Sequence, residues 1–342
     1  MLFRSPHIGL VRSALLFGLL NVLVALWALW LFREQLHGAT WLRAQAVASF
    51  VALAVGFGFA GQFTTFAEAQ LYTDEIVYTE TTPYQRIVVT RWKDDLRLFL
   101  NNNLQFSSRD EYRYHEALVH PGLATLPGAR RVLVLGGGDG LAVREILKYP
   151  QIESVTLVDL DPGMTQLFST AAPLRRLNAD ALHSPLLHIV NEDAFQWLQH
   201  TQEMFDVIVV DFPDPTNFAI GKLYTQSFYA LLEQRLAASG YAVVQTTSPL
   251  VARQSFWTVV QTIESVGLST APYHAHVPSF GEWGYVIASR RPWRLPDALP
   301  PGLRFLSPPS LPLLFDFPLD MARVPADVNR LSNQALVHSY ER

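Results

Sequence analysis

Two long uncharged segments near the start of the chain constrain its fold more than any other feature. Residues 13–32 carry no charged side chain over 20 positions, and residues 44–67 carry none over 24. An α-helix rises about 1.5 Å per residue, so either segment is long enough to cross a hydrocarbon core of roughly 30 Å. Because only a short charged link separates them, we predict a two-helix transmembrane hairpin within residues 1–70.

A secretory signal peptide is the alternative interpretation of the first segment. Residues 13–32 exceed the apolar region of a usual signal peptide, and no small-residue cleavage site precedes the second segment. The second segment also places a small residue at every fourth position from Ala44 to Ala60, which would let a neighbouring helix pack closely. These features favour the hairpin, with the small residues at its helix contact.

Arginine residues predict how the hairpin is oriented. A hairpin returns both of its ends to one side of the membrane, and lysine and arginine are enriched on the cytoplasmic side. Four arginines flank the ends of the hairpin and two lie in its link: Arg4, Arg12, Arg86 and Arg91 against Arg33 and Arg43. We therefore expect a multi-pass protein of the cell membrane whose larger, C-terminal part is cytoplasmic.

The composition excludes several classes of function. The chain has no cysteine, which excludes disulfides, thiolate zinc sites and cysteine nucleophiles. A formal net charge of -4 provides no basic field for nucleic acid. Acidic residues gathered in a cleft would instead suit a cationic substrate.

Beyond the hairpin, the pattern of the chain changes along its length. Residues 71–121 contain short runs rich in β-branched and aromatic residues, then a helical pattern that Pro121 should end. They predict a small antiparallel β domain and a linking helix. Residues 122–290 alternate apolar strands with helical segments, which predicts an α/β domain with a Rossmann-like, methyltransferase-type sheet. Residues 291–342 are too rich in proline for long helices, and we predict no function for this tail.

A glycine-rich turn follows the first strand of the α/β domain. Gly136, Gly138 and Gly140 would let the backbone approach a ligand closely, although dinucleotide enzymes and methyltransferases share such turns. The next strand ends at Asp159, about 20 residues on, where a carboxylate accepts both hydroxyls of a ribose. Asp193 follows the third strand and would accept an adenine amino group. These three strand ends predict one nucleoside site.

Two further carboxylates follow the fourth strand. Asp211 and Asp214 stand three residues apart, and Pro213 and Pro215 stiffen the loop that carries them. A carboxylate after a buried strand often only caps a loop, but paired acids in a cleft are typical of catalytic sites. We therefore predict that Asp211 is catalytic.

Six short motifs follow one another along the chain. They are 83–85 (Pro-Tyr-Gln), 100–105 (Leu-Asn-Asn-Asn-Leu-Gln), 112–116 (Tyr-Arg-Tyr-His-Glu), 136–140 (Gly-Gly-Gly-Asp-Gly), 211–215 (Asp-Phe-Pro-Asp-Pro) and 222–229 (Lys-Leu-Tyr-Thr-Gln-Ser-Phe-Tyr). In this order they resemble the motifs of the spermidine synthase family of polyamine aminopropyltransferases, in its membrane-bound branch, and the resemblance covers residues 76–290. The resemblance implies aminopropyl transfer from decarboxylated S-adenosylmethionine to a diamine, expected to be putrescine, giving spermidine and methylthioadenosine.

The same resemblance implies how the donor is held. Gln85, Asp159 and Asp193 would bind its nucleoside beside the glycine turn, and Asp139 would bind its propylamine ammonium. Decarboxylated S-adenosylmethionine is thus expected as a co-substrate, with no separate cofactor and no metal.

The resemblance also implies that the diamine lies between Asp211, Asp214 and Tyr114. Gln105 belongs to the same substrate-binding set, and Trp283 either lines the acceptor channel or belongs to the core. An ammonium has no lone pair, so we expect Asp211 to orient the acceptor and to take its proton, directly or through water. Alignment of the two substrates should supply much of the acceleration.

Two other functions stay open at this point. An S-adenosylmethionine-dependent methyltransferase would share the sheet and the glycine turn, but Asp139 should repel an amino acid carboxylate. Such an enzyme also has no need for the pair Asp211 and Asp214. A membrane-bound nucleoside or polyamine sensor without turnover would keep the pocket and tolerate the loss of Asp211. The sequence leaves open the acceptor, the role of the anchor and whether the chain forms a homodimer.

Overall fold

The computed structural model describes residues 10–35, 38 and 40–340, with the side chains of these residues except 10 and 62–71. The chain divides into two compact units, Met1–Asn102 and Asn103–Arg342. The domain boundaries expected at residues 70, 121 and 290 stay predictions.

The first unit opens with two long helices, α1 (Leu10–Leu31) and α2 (Thr40–Leu71). Helix α1 begins before its uncharged segment, and α2 extends past both ends of its own, because arginine and glutamate are good helix formers. By length and composition, Val11–Leu31 and Thr40–Gly61 are each able to cross a membrane.

The two helices contact each other through glycines that face leucines. A Cβ atom added to Gly18 would lie 3.2 Å from Leu53 Cδ1, and one added to Gly56 would lie 3.6 Å from Leu15 Cδ2. The predicted contact through the whole stripe of small residues is wrong, because the three alanines that begin the stripe are exposed. A helix has about 3.6 residues per turn, so a strict spacing of four drifts around it and leaves the contact.

The rest of the first unit is an antiparallel sheet of β1 (Glu75–Thr81), β2 (Arg86–Trp92) and β3 (Asp95–Leu100), with β2 paired to both neighbours. The buried residues of β2 and β3 are mostly aliphatic, and they include two polar residues, Thr90 and Asp95. Asn101 and Asn102 follow β3 at φ 50° and 70°. Asparagine tolerates this left-handed region, so it can occupy a tight turn that otherwise favours glycine. The predicted N-terminal antiparallel sheet is confirmed.

The second unit begins with β4 (Asn103–Ser107) and the helix α3 (Glu111–Leu123). The prediction that Pro121 ends this helix is wrong, since the helix continues for two more residues. A proline this close to the end removes only one hydrogen bond of the last turn. Gly122 then lets α3 approach the sheet, because a Cβ atom there would collide with the Val243 side chain.

A seven-stranded sheet forms the centre of the second unit. Its strands are β5 (Arg131–Gly136), β6 (Ser154–Asp159), β7 (Leu187–Asn191), β8 (Phe205–Asp211), β9 (Leu236–Gln245), β10 (Ser269–Val277) and β11 (Gly281–Ser289). They lie in the order β10-β11-β9-β8-β5-β6-β7, with the first five in sequence parallel and the final hairpin antiparallel. Strand order reverses at β5, which creates a crevice at the carboxyl ends of β5 and β8.

Helices cover this sheet and connect its parallel strands. They are α4 (Leu141–Ile146), α5 (Pro162–Thr170), α6 (Ala172–Leu177), α7 (Ala194–His200), α8 (Phe218–Gly221), α9 (Gln226–Arg235), α10 (Arg253–Glu264) and α11 (Ala335–Tyr340). The core packs the apolar faces of β5, β8 and β9 against α9 and α10. The Rossmann-like architecture predicted from strand and helix alternation is confirmed.

Residues 291–340, here called the C-terminal segment, pack along the second unit. The Trp293 ring stacks on Phe315 with 4.5 Å between centroids. Glu116 of α3 accepts the backbone N–H groups of three successive residues of the segment, beginning with Arg304. Trp257 of α10 donates to the Met321 carbonyl oxygen at 3.0 Å. The segment contains only short helices, as its prolines predict, but it is firmly attached.

Candidate active site

The glycine turn lies between β5 and α4, and it needs glycine for two reasons. Gly136 and Gly140 have φ values of 81° and 76°, in the region that favours glycine. A Cβ atom at Gly136 would also collide with the Asp211 carbonyl oxygen, and one at Gly138 would lie 2.7 Å from Asp159 Oδ2. The turn is therefore in close contact with the ends of β6 and β8.

Asp159 ends β6 directly beneath this turn. Its carboxylate accepts the Gly138 N–H at 2.9 Å and the Asp161 N–H at 2.8 Å. Asp159 is half-buried as a residue, and burial raises the pKa of its carboxylate to about 6, against the effect of these two hydrogen bonds. The two backbone N–H groups thus fix the orientation of the Asp159 carboxylate. The ribose hydroxyls are predicted to bind to its remaining lone pairs.

Both carboxylate oxygens of Asp193, which was predicted to accept an adenine amino group, already have partners. It is the N-cap of α7, where Oδ1 accepts the Phe195 N–H at 2.9 Å. Its Oδ2 pairs with the Lys222 ammonium. Its binding of an adenine amino group stays a prediction, and the structure adds Lys222 as a neighbour that the sequence did not suggest.

Asp139 is buried in the glycine turn, at 9% exposure. Its Oδ1 accepts the Leu141 N–H at 2.9 Å, which holds the carboxylate at the start of α4. Burial raises the pKa of Asp139, and the nearby His115 opposes that rise. A cationic ligand would stabilise the ionised form of Asp139, because its opposite charge offsets the cost of burying a carboxylate.

Asp211 ends β8 and meets a tyrosine from α3. The Tyr114 hydroxyl donates to Asp211 Oδ1 at 2.5 Å. Burial raises the pKa of Asp211 to about 6; His115 lowers it, and the like charge of Asp139 raises it further. Burial also raises the pKa of Tyr114 well above its usual value, so Tyr114 stays the donor. The pair leaves Oδ2 of Asp211 beside the turn, 3.1 Å from a Cβ position at Gly137.

Asp214 lies three residues further on, and its two oxygens differ. Oδ2 accepts the hydroxyl of Tyr340 at 2.7 Å. Oδ1 is buried and has no hydrogen-bond partner among the described residues. Burial raises the pKa of Asp214 to about 6, and the Tyr340 hydrogen bond opposes that rise. A buried carboxylate oxygen without a donor is costly, and an ammonium group would satisfy it.

An aromatic group borders the two acids. Trp283 of β11 is half-buried and meets Phe280 edge to face at 5.0 Å, and Phe280 meets Tyr114 at 6.0 Å. The Trp283 indole N–H donates to Gln245 Oε1 at 2.9 Å. Gln245 also donates to the Phe212 carbonyl oxygen. Trp283 is therefore connected through Gln245 to the loop that carries Asp214, and its place in an acceptor channel stays a prediction.

Comparisons with known proteins decide the family. Residues 111–294 match the family model described as "Spermine/spermidine synthase domain". The chain is 51% identical over 341 residues to the polyamine aminopropyltransferase of Leptospira interrogans, covering 100% of this chain and 68% of that protein. It is 53% identical over 348 residues to polyamine aminopropyltransferase 2 of Ralstonia nicotianae, covering 99% and 68%. The chain belongs to the spermine/spermidine synthase family. It is an enzyme of the polyamine aminopropyltransferase class.

Solved structures agree with this family at the level of the fold. A spermidine synthase in complex with the transition-state analogue AdoDATO gives a TM-score of 0.66 at 24% identity, covering 71% of this chain and 86% of that one. The spermidine synthase of Thermotoga maritima gives 0.65 at 24% identity, covering 71% and 85%. The aminopropyltransferase thus shares its Rossmann-like sheet and N-terminal antiparallel sheet with these enzymes.

A buried charge network beside the acids was missed by sequence reasoning. His115 Nδ1 contacts Glu111 Oε2 at 2.9 Å, and Arg144 binds the same carboxylate through two nitrogens. Burial alone would lower the pKa of His115, but the bond and the charge of Glu111 raise it. The rise favours the protonated form of His115, which lies close enough to Asp139 and Asp211 to interact with their charges. Only the helical spacing of Glu111 and His115 could have signalled the pair.

The two predicted glutamines make contacts with residues near them in the chain. Gln105 donates to the Asn103 carbonyl oxygen of its own strand at 3.1 Å. Gln85 lies in the first unit, where its carbonyl oxygen accepts the Thr82 N–H at 2.9 Å. Their substrate roles in this aminopropyltransferase stay predictions. Among the described residues, no group of three or more acids and histidines is placed to hold a metal ion.

Proposed function

We propose that this enzyme transfers the aminopropyl group of decarboxylated S-adenosylmethionine to putrescine, giving spermidine and methylthioadenosine. The observation that carries the proposal is the set of acids around one crevice. Asp139, Asp211 and Asp214 each have a pKa raised by burial, and each would be stabilised as a carboxylate by a cation. Both proposed substrates bring ammonium groups.

The donor would lie across the glycine turn. Asp159, oriented by the Gly138 and Asp161 N–H groups, would accept the ribose hydroxyls. Asp139 would pair with the ammonium at the end of the propyl chain. Since S-adenosylmethionine carries a carboxylate at that end, the buried Asp139 disfavours the methyltransferase alternative.

The acceptor would lie between Asp211 and Asp214, along the ring of Trp283. Oδ1 of Asp214 would bind the distal ammonium, and the apolar ring would pack against the methylene chain. Asp211, held by Tyr114, would receive the proton of the attacking amine. A diamine of the size of putrescine would suit two acids that stand three positions apart on a proline-stiffened loop.

The reaction would proceed by direct displacement. The lone pair of the deprotonated amine attacks the propyl carbon bound to the sulfonium sulfur, and a C–N bond forms. The C–S bond breaks, its electron pair returns to sulfur, and neutral methylthioadenosine leaves. The proton released by the amine passes to Asp211 or through water to solvent. The sulfonium needs little electrophilic help, so the protein mainly aligns the reactants and removes the proton.

Purified full-length protein in detergent should convert decarboxylated S-adenosylmethionine and putrescine into equal amounts of spermidine and methylthioadenosine. A panel of putrescine, cadaverine, 1,3-diaminopropane and spermidine would define the acceptor, with product amines identified by mass spectrometry. Putrescine is expected to give the highest kcat/KM. Methylated products from S-adenosylmethionine, with no amine product from the decarboxylated donor, would contradict the proposal.

We also propose that α1 and α2 form a transmembrane hairpin that holds the catalytic unit at the cytoplasmic face of the cell membrane. Support comes from the apolar surface of the helices: Trp27 and Trp30 are each 61% exposed in the first unit. In water such a surface would drive aggregation, whereas a bilayer would cover it. The two arginines of the link and the four that flank the hairpin support the orientation.

The hairpin should keep the full-length protein in the membrane fraction after an alkaline carbonate wash, and detergent should release it. A shortened chain that begins at Leu71 is the matched control, and it should appear in the soluble fraction and still bind methylthioadenosine. Release of the full-length protein by carbonate alone would contradict a membrane span, as would retention of the shortened chain.

A further inference from the structure

The C-terminal segment reaches the acceptor acids. Its last described residue, Tyr340 of α11, donates its hydroxyl to Asp214 Oδ2 at 2.7 Å across 126 positions of sequence. We infer that Tyr340 is a positioning residue of the acceptor site, which turns Asp214 so that its other oxygen meets the distal ammonium of the diamine. This inference rests on the proposed function, because it assigns Asp214 to the acceptor.

Contacts other than the Tyr340 hydrogen bond fix the place of α11. Val337 packs so tightly on Gly221 that a Cβ atom added to Gly221 would lie 2.5 Å from Val337 Cγ2. Ser339 Oγ lies 2.9 Å from Ser255 Oγ of α10. The buried Leu336 donates its N–H to Asn329 Oδ1 at 3.2 Å. Helix α11 is therefore held in place before its tyrosine contacts the acid.

The C-terminal segment also holds the far end of the loop that carries Asp214. Asn329 is buried and donates to the carbonyl oxygens of Gly221 and Tyr224 at 3.3 and 3.1 Å. The Tyr224 hydroxyl in turn donates to the Phe212 carbonyl oxygen at 3.2 Å. The loop is thus connected at both ends to residues that the segment contacts, and Tyr340 is the contact that reaches the carboxylate itself.

The chemistry of Asp214 gives this contact a specific effect. Tyr340 pairs one oxygen of a carboxylate whose other oxygen has no partner among the described residues. Without the hydroxyl, the carboxylate would lose the one side-chain hydrogen bond that it makes to a described residue, and its orientation would no longer be fixed by that bond. The Tyr340 hydrogen bond also opposes the rise that burial causes in the pKa of Asp214. Removing it should make this acid harder to ionise and a weaker partner for an ammonium.

Tyr340→Phe in the full-length enzyme keeps the ring and removes only the hydroxyl. We expect the KM for the diamine at pH 7 to rise about tenfold, the usual scale for one hydrogen bond to a charged group. The KM for the donor and kcat at saturating diamine should change less than about twofold. The acid limb of kcat/KM for the diamine should shift to higher pH, because the pKa of Asp214 rises, and high pH should restore part of the loss.

Two controls separate positioning from general disturbance of α11. Ser339→Ala removes a hydrogen bond from the same helix without touching Asp214, and it should change the diamine KM less than about twofold, because the contacts of Leu336 and Val337 still hold α11. In an Asp214→Asn background, Tyr340→Phe should add no further effect, because both changes act on the same group. This double-mutant comparison measures the coupling between Tyr340 and Asp214 even if Tyr340→Phe lowers the thermal stability of the enzyme.

An unchanged diamine KM and pH profile in Tyr340→Phe would overturn the inference, as would effects of the two substitutions that simply add. A parallel loss for donor and diamine would assign Tyr340 a purely structural role and would also overturn it. Failure of the proposed function is recognised separately, by a wild-type enzyme that makes no aminopropylated amine. In that case the coupling between the two residues is measured through calorimetric binding of spermidine.

Discussion

Asp211→Asn is expected to lower kcat at least about a hundredfold while leaving the affinity for methylthioadenosine close to that of the wild type. The asparagine still accepts the Tyr114 hydroxyl and fills the same volume at the end of β8. It cannot take a proton from the attacking amine, and losing a positioned base costs about a hundredfold to ten-thousandfold. Single-turnover kinetics and calorimetry with methylthioadenosine measure the two quantities separately.

The pH profile gives this prediction a second readout. Because burial raises the pKa of Asp211 from 3.8 to about 6, the acid is protonated, and inactive as a base, below that pH. The wild-type kcat/KM should therefore fall as the pH decreases through about 6. Asp214 has a pKa of about 6 as well, so two groups become protonated in the same pH range. The decrease of kcat/KM with pH should therefore be steeper than the titration of a single group, and it should be less steep in Asp211→Asn.

Asp206→Asn is the matched control, since Asp206 lies on the same strand at its opposite end. Its Oδ2 accepts the N–H groups of Arg130 and Arg131 at 2.9 Å each, and an amide oxygen can keep both bonds. This variant should retain kcat. Wild-type turnover in Asp211→Asn would remove Asp211 from the chemical step, and a matching loss of nucleoside affinity would place it in the donor site instead.

Asp139→Asn is expected to reduce the preference of the enzyme for the decarboxylated donor over S-adenosylmethionine. The two donors differ by one negative charge at the end of the chain. If Asp139 lies within about 4 Å of that position, an effective dielectric constant near 20 makes the repulsion worth up to roughly 4 kcal/mol. Half of that value still corresponds to a preference of about thirtyfold in the wild type.

Calorimetry with both donors on the wild type and on Asp139→Asn measures this effect. Because burial raises the pKa of Asp139, the preference should be largest at alkaline pH, where the acid is ionised, and should shrink as the pH falls. Asp180→Asn is the control for a general change of charge, since Asp180 is exposed and paired with Arg175. Equal affinities in the wild type, or tighter binding of S-adenosylmethionine, would favour a methyltransferase.

Local patterns predicted the parts of the site that lie on regular strands. Asp159 and Asp211 each end an apolar strand, and parallel strands bring such ends to one edge, so their meeting at the glycine turn could be read from sequence. The contact between Tyr340 and Asp214 could not be predicted in this way. No periodic pattern precedes Tyr340, and the two residues lie 126 positions apart in the sequence. Proline content described the C-terminal segment as irregular, but irregular backbone can still be fixed by side-chain caps such as Glu116.

Other misses have equally specific causes. Gln245 ends an apolar strand in the same way as the acids, but a glutamine at the end of a strand is also typical of an ordinary surface position. The sequence therefore did not indicate its contact with Trp283. Lys222 lies in a matched motif, yet its pairing with Asp193 depends on how two loops approach each other. Pro121 looked like the end of a helix because propensity describes a helix interior, whereas the last turn tolerates proline.

The raised pKa values of Asp159, Asp211 and Asp214 also make the stability of the fold depend on pH. A carboxyl group with a pKa near 6 in the folded chain and near 3.8 in the unfolded chain takes up a proton on folding between those values. The free energy of unfolding therefore falls as the pH rises through that window. At neutral pH these acids are ionised, and burial of their charges destabilises the folded chain. On the proposed function, the ammonium groups of the diamine are the counterions of Asp211 and Asp214. Bound substrate then protects the chain from unfolding and proteolysis, so the abundance of the enzyme would follow the supply of the amines it consumes.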